Sequence, residues 1–394
     1  MFSLRPLPSL HFVSVPEGRT VTDFSEDVIG LSWKDLIPEN FEHNTLKGLL
    51  RCSEWQPVLK GFQVLYPGMY WHGEESPITA MFFRPGKSVD GLQSFLDASV
   101  KYFRQFDGRL IGVHLSGGLD SSLIIGMLRH FNIPYALVGM STDRYEFRTE
   151  RRVQELLAMQ CGSVRLIDYE IHLPLSSLED VPPHEYPDLS SINFSGDDAM
   201  ADACAQFGIE VLLNGTGGDV VLGTPVHSNG DRCDWQPHIF NPVWTKDVVY
   251  AAHGVQLEAF YADAGIVNSL FHLRRGQGYD GAKRWARSYF RDFLPKELTD
   301  FTYCADFWGL YCDGLASAKE SLLHLHQDAY NITGSPYFEP ERLASLLRED
   351  LLTSSKSLYQ KIESRAALSC WVISLHKFRE AQRGTLVSSR GSAP

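Results

Sequence analysis

Between residues 109 and 223 the chain alternates two hydrophobic patterns. Short apolar runs at Leu110–Leu115, Tyr135–Met140, Val164–Ile167 and Ile209–Leu213 read as buried strands, bounded by polar and turn-forming residues. Between them, apolar residues recur at helical spacing near 119–131, 147–160 and 196–207. A further helix is expected from about Asp90 to Phe106, in "SVDGLQSFLDASVKYFRQF". Strand–helix–strand alternation predicts the α/β class, a parallel sheet with helices on both faces, because parallel neighbours need a long crossover. In such sheets ligands bind beyond the C-terminal ends of the strands.

The pattern changes on either side of this stretch. Residues 1–88 read as short strands and turns, with a hairpin expected in "GFQVLYPGMYWHG" around Pro67–Gly68. This N-terminal β region would lean on a second unit, 89–394. After about Asn241 the strand signal fades. "DVVYAAHGVQLEAFYADAG" and "PERLASLLREDLLTSSKSLYQKIESRAALSCWVISLHKFREA" have helical periodicity, so the last third is expected to be a helical layer ending in a frayed tail, "VSSRGSAP".

Composition narrows the function classes. The formal net charge of −12 over 394 residues gives nucleic acid no electrostatic support, and the basic cluster from Arg274 to Arg291 is too modest to reverse it. No nucleic-acid partner is expected. Seven cysteines, at 52, 161, 204, 233, 304, 312 and 370, form no C-x-x-C pair. An odd, scattered set argues against a disulfide framework and a structural zinc site, and for reduced thiols in a cytoplasmic protein. Prolines interrupt the apolar patch near the N-terminus, so a signal peptide is not expected. No apolar run approaches the ~18 residues of a membrane span.

Two glycine-rich segments carry the chemistry. "LSGGLDSS", Leu115 to Ser122, follows a predicted strand and opens a predicted helix. Backbone N–H groups at that helix start, the helix dipole and three serine hydroxyls make an anion site, and Gly117 and Gly118 let the backbone approach closely. It lacks the G-K-[ST] of a Walker loop, the G-x-G-x-x-G of a dinucleotide turn and the G-x-S-x-G of a nucleophile elbow. An acid among phosphate-binding groups calls for a cation, which makes Asp120 a candidate Mg²⁺ ligand. The second segment, "VLLNGTGGDVVLG", Val211 to Gly223, places Asp219 on another glycine-rich loop after another strand.

"LSGGLDSS" resembles the pyrophosphatase loop of the N-type ATP pyrophosphatases, and in this form that of the asparagine synthetase family. That family includes β-lactam synthetases and lasso-peptide cyclases. "GTGGD" is similar to the family's second loop. The resemblance is strong in the two loops and looser over residues 55–310. It implies an adenine-nucleotide α-hydrolase-like fold in which ATP and Mg²⁺ are bound and ATP is split between its α and β phosphates. Leu115, Ser116, Gly117, Gly118, Asp120, Ser121 and Ser122 would hold pyrophosphate, with Gly215 and Gly217 in the second loop and Asp120 and Asp219 on the metal. Val138, Gly139 and Met140, in "LVGMSTD", match the place where the family's backbone recognises adenine. "GAKRWARSYFRDFLPKEL" is similar to the family's K-x-x-x-R…LP helix, with Lys283 and Arg287 at its basic positions.

Departures from the family pattern sharpen the expectation. The chain begins Met-Phe-Ser rather than Met-Cys and has little sequence before the synthetase-like part, so glutaminase activity is not expected. Thr216 stands where asparagine synthetases carry a glutamate, Val220 replaces the glutamate after the loop aspartate, and Tyr303 falls near the family's later lysine. The best match is therefore an AMP-forming amide ligase of the lasso-peptide cyclase and β-lactam synthetase branch, acting on a precursor peptide or a small carboxylate. Thr216, Lys283 and Tyr303 are its candidate catalytic residues. A peptidase or leader-binding protein of the same pathway is an expected partner. Amidation of a free amino acid or small metabolite, or an inactive nucleotide-binding relative, are the alternatives.

Overall fold

The computed structural model describes residues 11–14, 19–21, 62–65, 69–70, 79–80, 91–183, 189–223, 244–274, 283–300, 307–348 and 356–390. Five parallel strands form the central sheet: β6 (Ile111–His114), β7 (Tyr135–Ser141), β8 (Val164–Asp168), β9 (Val211–Asn214) and β10 (Gln256–Ala259). Their order is β10-β9-β6-β7-β8. The chain winds outward from β6 to β8, then returns to the other side of β6. The winding direction thus reverses between β6 and β9, and a crevice opens there above the strand ends.

Side chains alternate across this sheet with period two. Ile111, Val113, Leu115, Leu137, Val211 and Leu213 enter one core, with α1 (Gly91–Phe103), α2 (Leu119–His130), α3 (Arg148–Ala158) and α6 (Ala264–Arg274). Ala136, Val138, Met140 and Leu212 enter a second core, with α4 (Phe194–Gln206), α5 (Trp244–Ala252), α9 (Trp308–Thr333), α10 (Pro340–Arg348) and α11 (Lys356–Arg390). Each fully buried aliphatic side chain contributes roughly 1.5–3 kcal/mol of transfer free energy, so both faces must be covered. Aromatic rings finish the first core: Phe103 stacks on Phe260 at 5.6 Å between centroids. Between α6 and α9 lie two short helices, α7 (Arg284–Tyr289) and α8 (Lys296–Asp300).

Four expectations change. The expected hairpin is replaced by other pairings: β3 (Phe62–Leu65) pairs with β1 (His11–Ser14), which also pairs with β2 (Arg19–Val21), and β4 (Met69–Tyr70) pairs with β5 (Thr79–Ala80). β10 lies in a stretch expected to be helical. It is an edge strand of only four residues, too short for its alternation to stand out, and Gly254 ends the preceding helical turn with φ +76°. Helical structure reaches Arg390, so the first half of the expected frayed tail, 387–390, continues α11, and the rest lies outside the described residues. The single helix expected over 281–298 is divided among α7, a 3₁₀ turn at Arg291–Phe293 and α8. Leu294–Pro295 forces that break, because proline disfavours helical backbone in the residue before it; Leu294 is extended.

Candidate active site

Both glycine-rich loops emerge at the crevice between β6 and β9. Register pairs Val113 with Leu213, so the two strands end together and their loops leave side by side. In the first loop Gly117 has φ +80°, and a Cβ there would lie 2.4 Å from the backbone oxygen of Glu150. Only glycine satisfies both conditions. Gly118 caps α2 without a side-chain hydrogen bond, leaving the first helical N–H groups for a ligand. The Ser116 and Ser121 hydroxyls are 2.8 Å apart and both line the cavity above the loop. Ser122 is fully buried and donates its hydroxyl to the Gly118 carbonyl at 2.7 Å, which fixes the loop's shape from below.

The second loop packs directly on the first. A Cβ on Gly218 would fall 2.4 Å from Asp120 Cγ, and one on Gly215 would fall 3.0 Å from Asp120 Cβ. Gly217 turns the chain with φ +85°. The Thr216 N–H donates to Asn214 Oδ1 at 2.9 Å, and Gly215 and Thr216 face the same cavity as Asp120. Asp219 then opens a helical turn, Asp219–Gly223. From beneath, the Tyr261 hydroxyl donates to the Asp120 carbonyl at 2.9 Å.

Lys283 joins the two acids. Its ammonium donates to both Asp120 oxygens at 2.7 Å and lies 2.6 Å from Asp219 Oδ1. The residue stands just before α7 in left-handed backbone, φ +53°, and is buried rather than on a solvated helix face. Burial opposes its charge, but Asp120 and Asp219 outweigh that and hold its pKa above the ordinary lysine value. In this arrangement Lys283 is a cation with no lone pair to accept a proton. Arg287, also buried, donates to the Leu298 carbonyl and adds positive potential at Asp120.

The donor set suits magnesium. Two carboxylates from separate loops already converge on one cation, the Lys283 ammonium, and both are hard oxygen donors. No cluster of three or more His, Cys, Asp or Glu ligands occurs among the described residues. Magnesium commonly uses one or two carboxylates and completes its shell with water and substrate phosphate. Such a site needs no larger protein cage.

A cleft runs from the loops along the strand ends. Its first cavity, about 230 Å³, is lined by Ser116, Asp120, Ser121, Asn214, Gly215 and Thr216. The second, about 210 Å³, is lined by Met140, Tyr169, His172, Phe307 and Tyr311. Both share His114, Asp197, Met200 and Lys246. Lys246 pairs with Asp197 at 3.2 Å. Burial and the Lys246 charge push the His114 pKa down to about 4, so its ring is neutral at physiological pH. Val138 is fully buried and its carbonyl accepts from Leu115 N at 2.8 Å, while a Cβ on Gly139 would meet the Leu115 oxygen at 2.2 Å. Gln154 on α3 donates to the Leu115 and Met140 carbonyls at 3.0 and 2.7 Å, pinning the ends of β6 and β7 together.

Of the expected site residues, Ser116, Asp120, Ser121, Met140, Gly215 and Thr216 line this cleft, Lys283 and Asp219 meet Asp120 beside it, and Tyr303 falls outside the described residues. Sequence reasoning overlooked His114, Asp197, Lys246 and the aromatic wall. His114 had a signal, since it immediately precedes the "LSGG" segment at the end of β6, and Asp197 sits in the acid-containing turn "NFSGDDAM". Lys246 had none, because its place depends on how α5 packs.

Comparison with known proteins supports part of this reading. Residues 91–241 match the family model for asparagine synthase, a little over a third of the chain. The match supports the asparagine synthetase family for that segment and, in general terms, ATP-dependent amide-forming ligase activity. No curated protein sequence matches the chain. Among solved structures, the NAD+ synthetase from Burkholderia pseudomallei aligns at 13% identity, over 61% of this chain and 93% of that one, with a TM-score of 0.23. No helix of the described residues is long and apolar enough to cross a membrane.

Proposed function

We propose, from the asparagine synthase match and the geometry of the two loops, that the protein is an AMP-forming amide ligase. It activates a carboxylate as an acyl-adenylate and joins it to an amine. Its preferred substrate class is a precursor peptide whose Asp or Glu side chain is joined to its own N-terminal amine, as in a lasso-peptide cyclase. In that pathway a peptidase or leader-binding protein is its partner. Residues 89–394 form the synthetase unit, preceded by an N-terminal β region, 1–88.

One observation carries the reading. Asp120 and Asp219, from separate loops at the sheet's reversal point, converge on a single cation beside an uncapped helix N-terminus. That arrangement suits a leaving pyrophosphate. The α2 N–H groups with Ser116 and Ser121 would bind it, and Asp120 and Asp219 would hold Mg²⁺, which would neutralise phosphate charge. Val138, Gly139 and Met140 border the nucleobase. Positioning does much of the remaining work, because an amine held near the acyl carbon reacts at high effective concentration. The aromatic wall of Tyr169, Phe307 and Tyr311 limits water, which competes for the activated acyl group.

The nucleotide product tests this. Incubation with ATP, Mg²⁺ and a panel of carboxylates and precursor peptides should release AMP and pyrophosphate, with one water lost from the joined peptide. ADP as the main product would overturn the assignment. Efficient asparagine formation from aspartate and ammonia would shift it to amidation of small molecules. Silence with every carboxylate, including in pyrophosphate exchange, would point to an inactive relative.

A further inference from the structure

The Lys283 ammonium stands at the point where the two acids meet. Its contacts of 2.6–2.7 Å reach both Asp120 oxygens and Asp219 Oδ1, and its side chain is buried between the loops. A divalent ion shared by the same carboxylates needs those same oxygens. The two cations cannot both sit in direct contact with them, since positive charges a few ångströms apart repel strongly in a partly buried site. Asp219 differs from Asp120 here. Its side chain is 92% exposed, so its second oxygen faces solvent, from which an incoming ion arrives.

We infer that Lys283 holds the place of the metal between Asp120 and Asp219 in the nucleotide-free protein, and that it must leave them for the metal to enter. This rests on the reading of the two aspartates as metal ligands. The consequence is an order of binding: the nucleotide-free protein discriminates against free divalent ions, and the ion enters with the nucleotide. The displaced ammonium then gains a partner in the nucleotide's own phosphates, which compensates for the carboxylates it gives up. The backbone of Lys283 is held at the start of α7, its carbonyl accepting from Arg287 N at 3.0 Å, so the transfer is a swing of the flexible four-carbon side chain.

Mn²⁺ binding to the nucleotide-free protein, followed by the electron paramagnetic resonance signal of the free ion, tests the inference. Wild type should bind weakly. K283M should bind one Mn²⁺ about tenfold or more tightly, by the usual size of a coupling between close charges, and K283M/D219N should lose that gain. Mn²⁺ should also raise the melting temperature of K283M and leave wild type unmoved. Tight Mn²⁺ binding by nucleotide-free wild type would overturn the proposal without any variant, so a K283M that fails to fold does not protect it. Equal affinities for wild type and K283M would overturn it as well. Calorimetry with α,β-methylene-ATP and Mn²⁺ separates the underlying reading. If D120N and D219N bind the metal–nucleotide complex as wild type does, the metal-ligand assignment fails. If they lose it while wild type and K283M take up Mn²⁺ equally without nucleotide, only the role of Lys283 fails.

Discussion

Replacing Gly218 with alanine adds one methyl group where the two loops touch. The new Cβ would lie 2.4 Å from Asp120 Cγ, 2.7 Å from Oδ2 and 2.8 Å from Cβ. Ordinary carbon contacts lie near 3.5–4.0 Å, so the Asp120 carboxylate or the second loop must move by roughly 1 Å. Overpacking of this kind costs about 1–3 kcal/mol, which the fold can absorb. The effect on the site is larger, because a shift of about 1 Å in a reacting constellation costs on the order of 100-fold. G218A should therefore remain folded, melt a few degrees lower by the usual stability scaling, and lose about two orders of magnitude in pyrophosphate exchange. A Cβ on Gly162 would meet nothing within 4 Å, and the backbone there is ordinary, so G162A is the matched control and should behave as wild type. Circular dichroism, thermal melting and calorimetry with α,β-methylene-ATP and Mg²⁺ provide readouts that need no acyl substrate. Near-normal metal–nucleotide binding and exchange in G218A would refute the argument that loop contact sets the position of Asp120.

Two further outcomes follow from groups around the cleft. Q154L should lower stability by about 2–4 kcal/mol, since the Leu115 and Met140 carbonyls lose a buried donor, and should weaken nucleotide binding; urea unfolding and calorimetry check both. His326 is buried and its pKa is pushed down to about 3 by burial and then Arg365. The unfolded chain takes up that proton near pH 6.5 and the folded chain does not, so its stability contribution is lost as pH falls from about 6.5 toward 3, by up to about 1.4 kcal/mol per pH unit. Glu363, raised to about 7 by burial, works in the opposite direction between about pH 4.5 and 7, so the test compares urea unfolding of wild type and H326N at pH 7 and pH 4.5. Parallel losses in the two proteins would exclude His326 as the source.

The parts of this molecule that were legible in the sequence are those fixed by local rules. β6, β7 and β8 fall within a residue or two of their expected positions; β6 and β7 are buried parallel strands and so read as continuous apolar runs, while β8, at the sheet's edge, shows only through Val164, Leu166 and Ile167. The segment "SGGLDSS" announces its turn through glycines that the backbone requires. β10 was hidden because Gln256–Ala259 is only four residues long, too short for its polar–apolar alternation to be told from the helical periodicity around it. Pairing of β3 with β1 was hidden because a Pro-Gly turn signals a reversal of direction, not a partner. Lys283 shows the same limit at the site. Its identity was readable, but its burial and its grip on two acids depend on long-range packing that brings residues 120, 219 and 283 together.

The division of the interior into two cores has an evolutionary consequence. Leu119, Val221, Leu222 and Tyr261, which support the aspartate loops, belong to the core on one side of the sheet. Met140, Met200, Leu212 and Tyr250, which line the cleft, belong to the core on the other. The two sets meet only at the cavity that Asp120 and Thr216 share with Met200, Leu212 and Tyr250; behind it they draw on separate packing. Substitutions in the core behind the cleft can therefore reshape its far wall while the packing that supports the aspartate loops, on the opposite face of the sheet, stays the same.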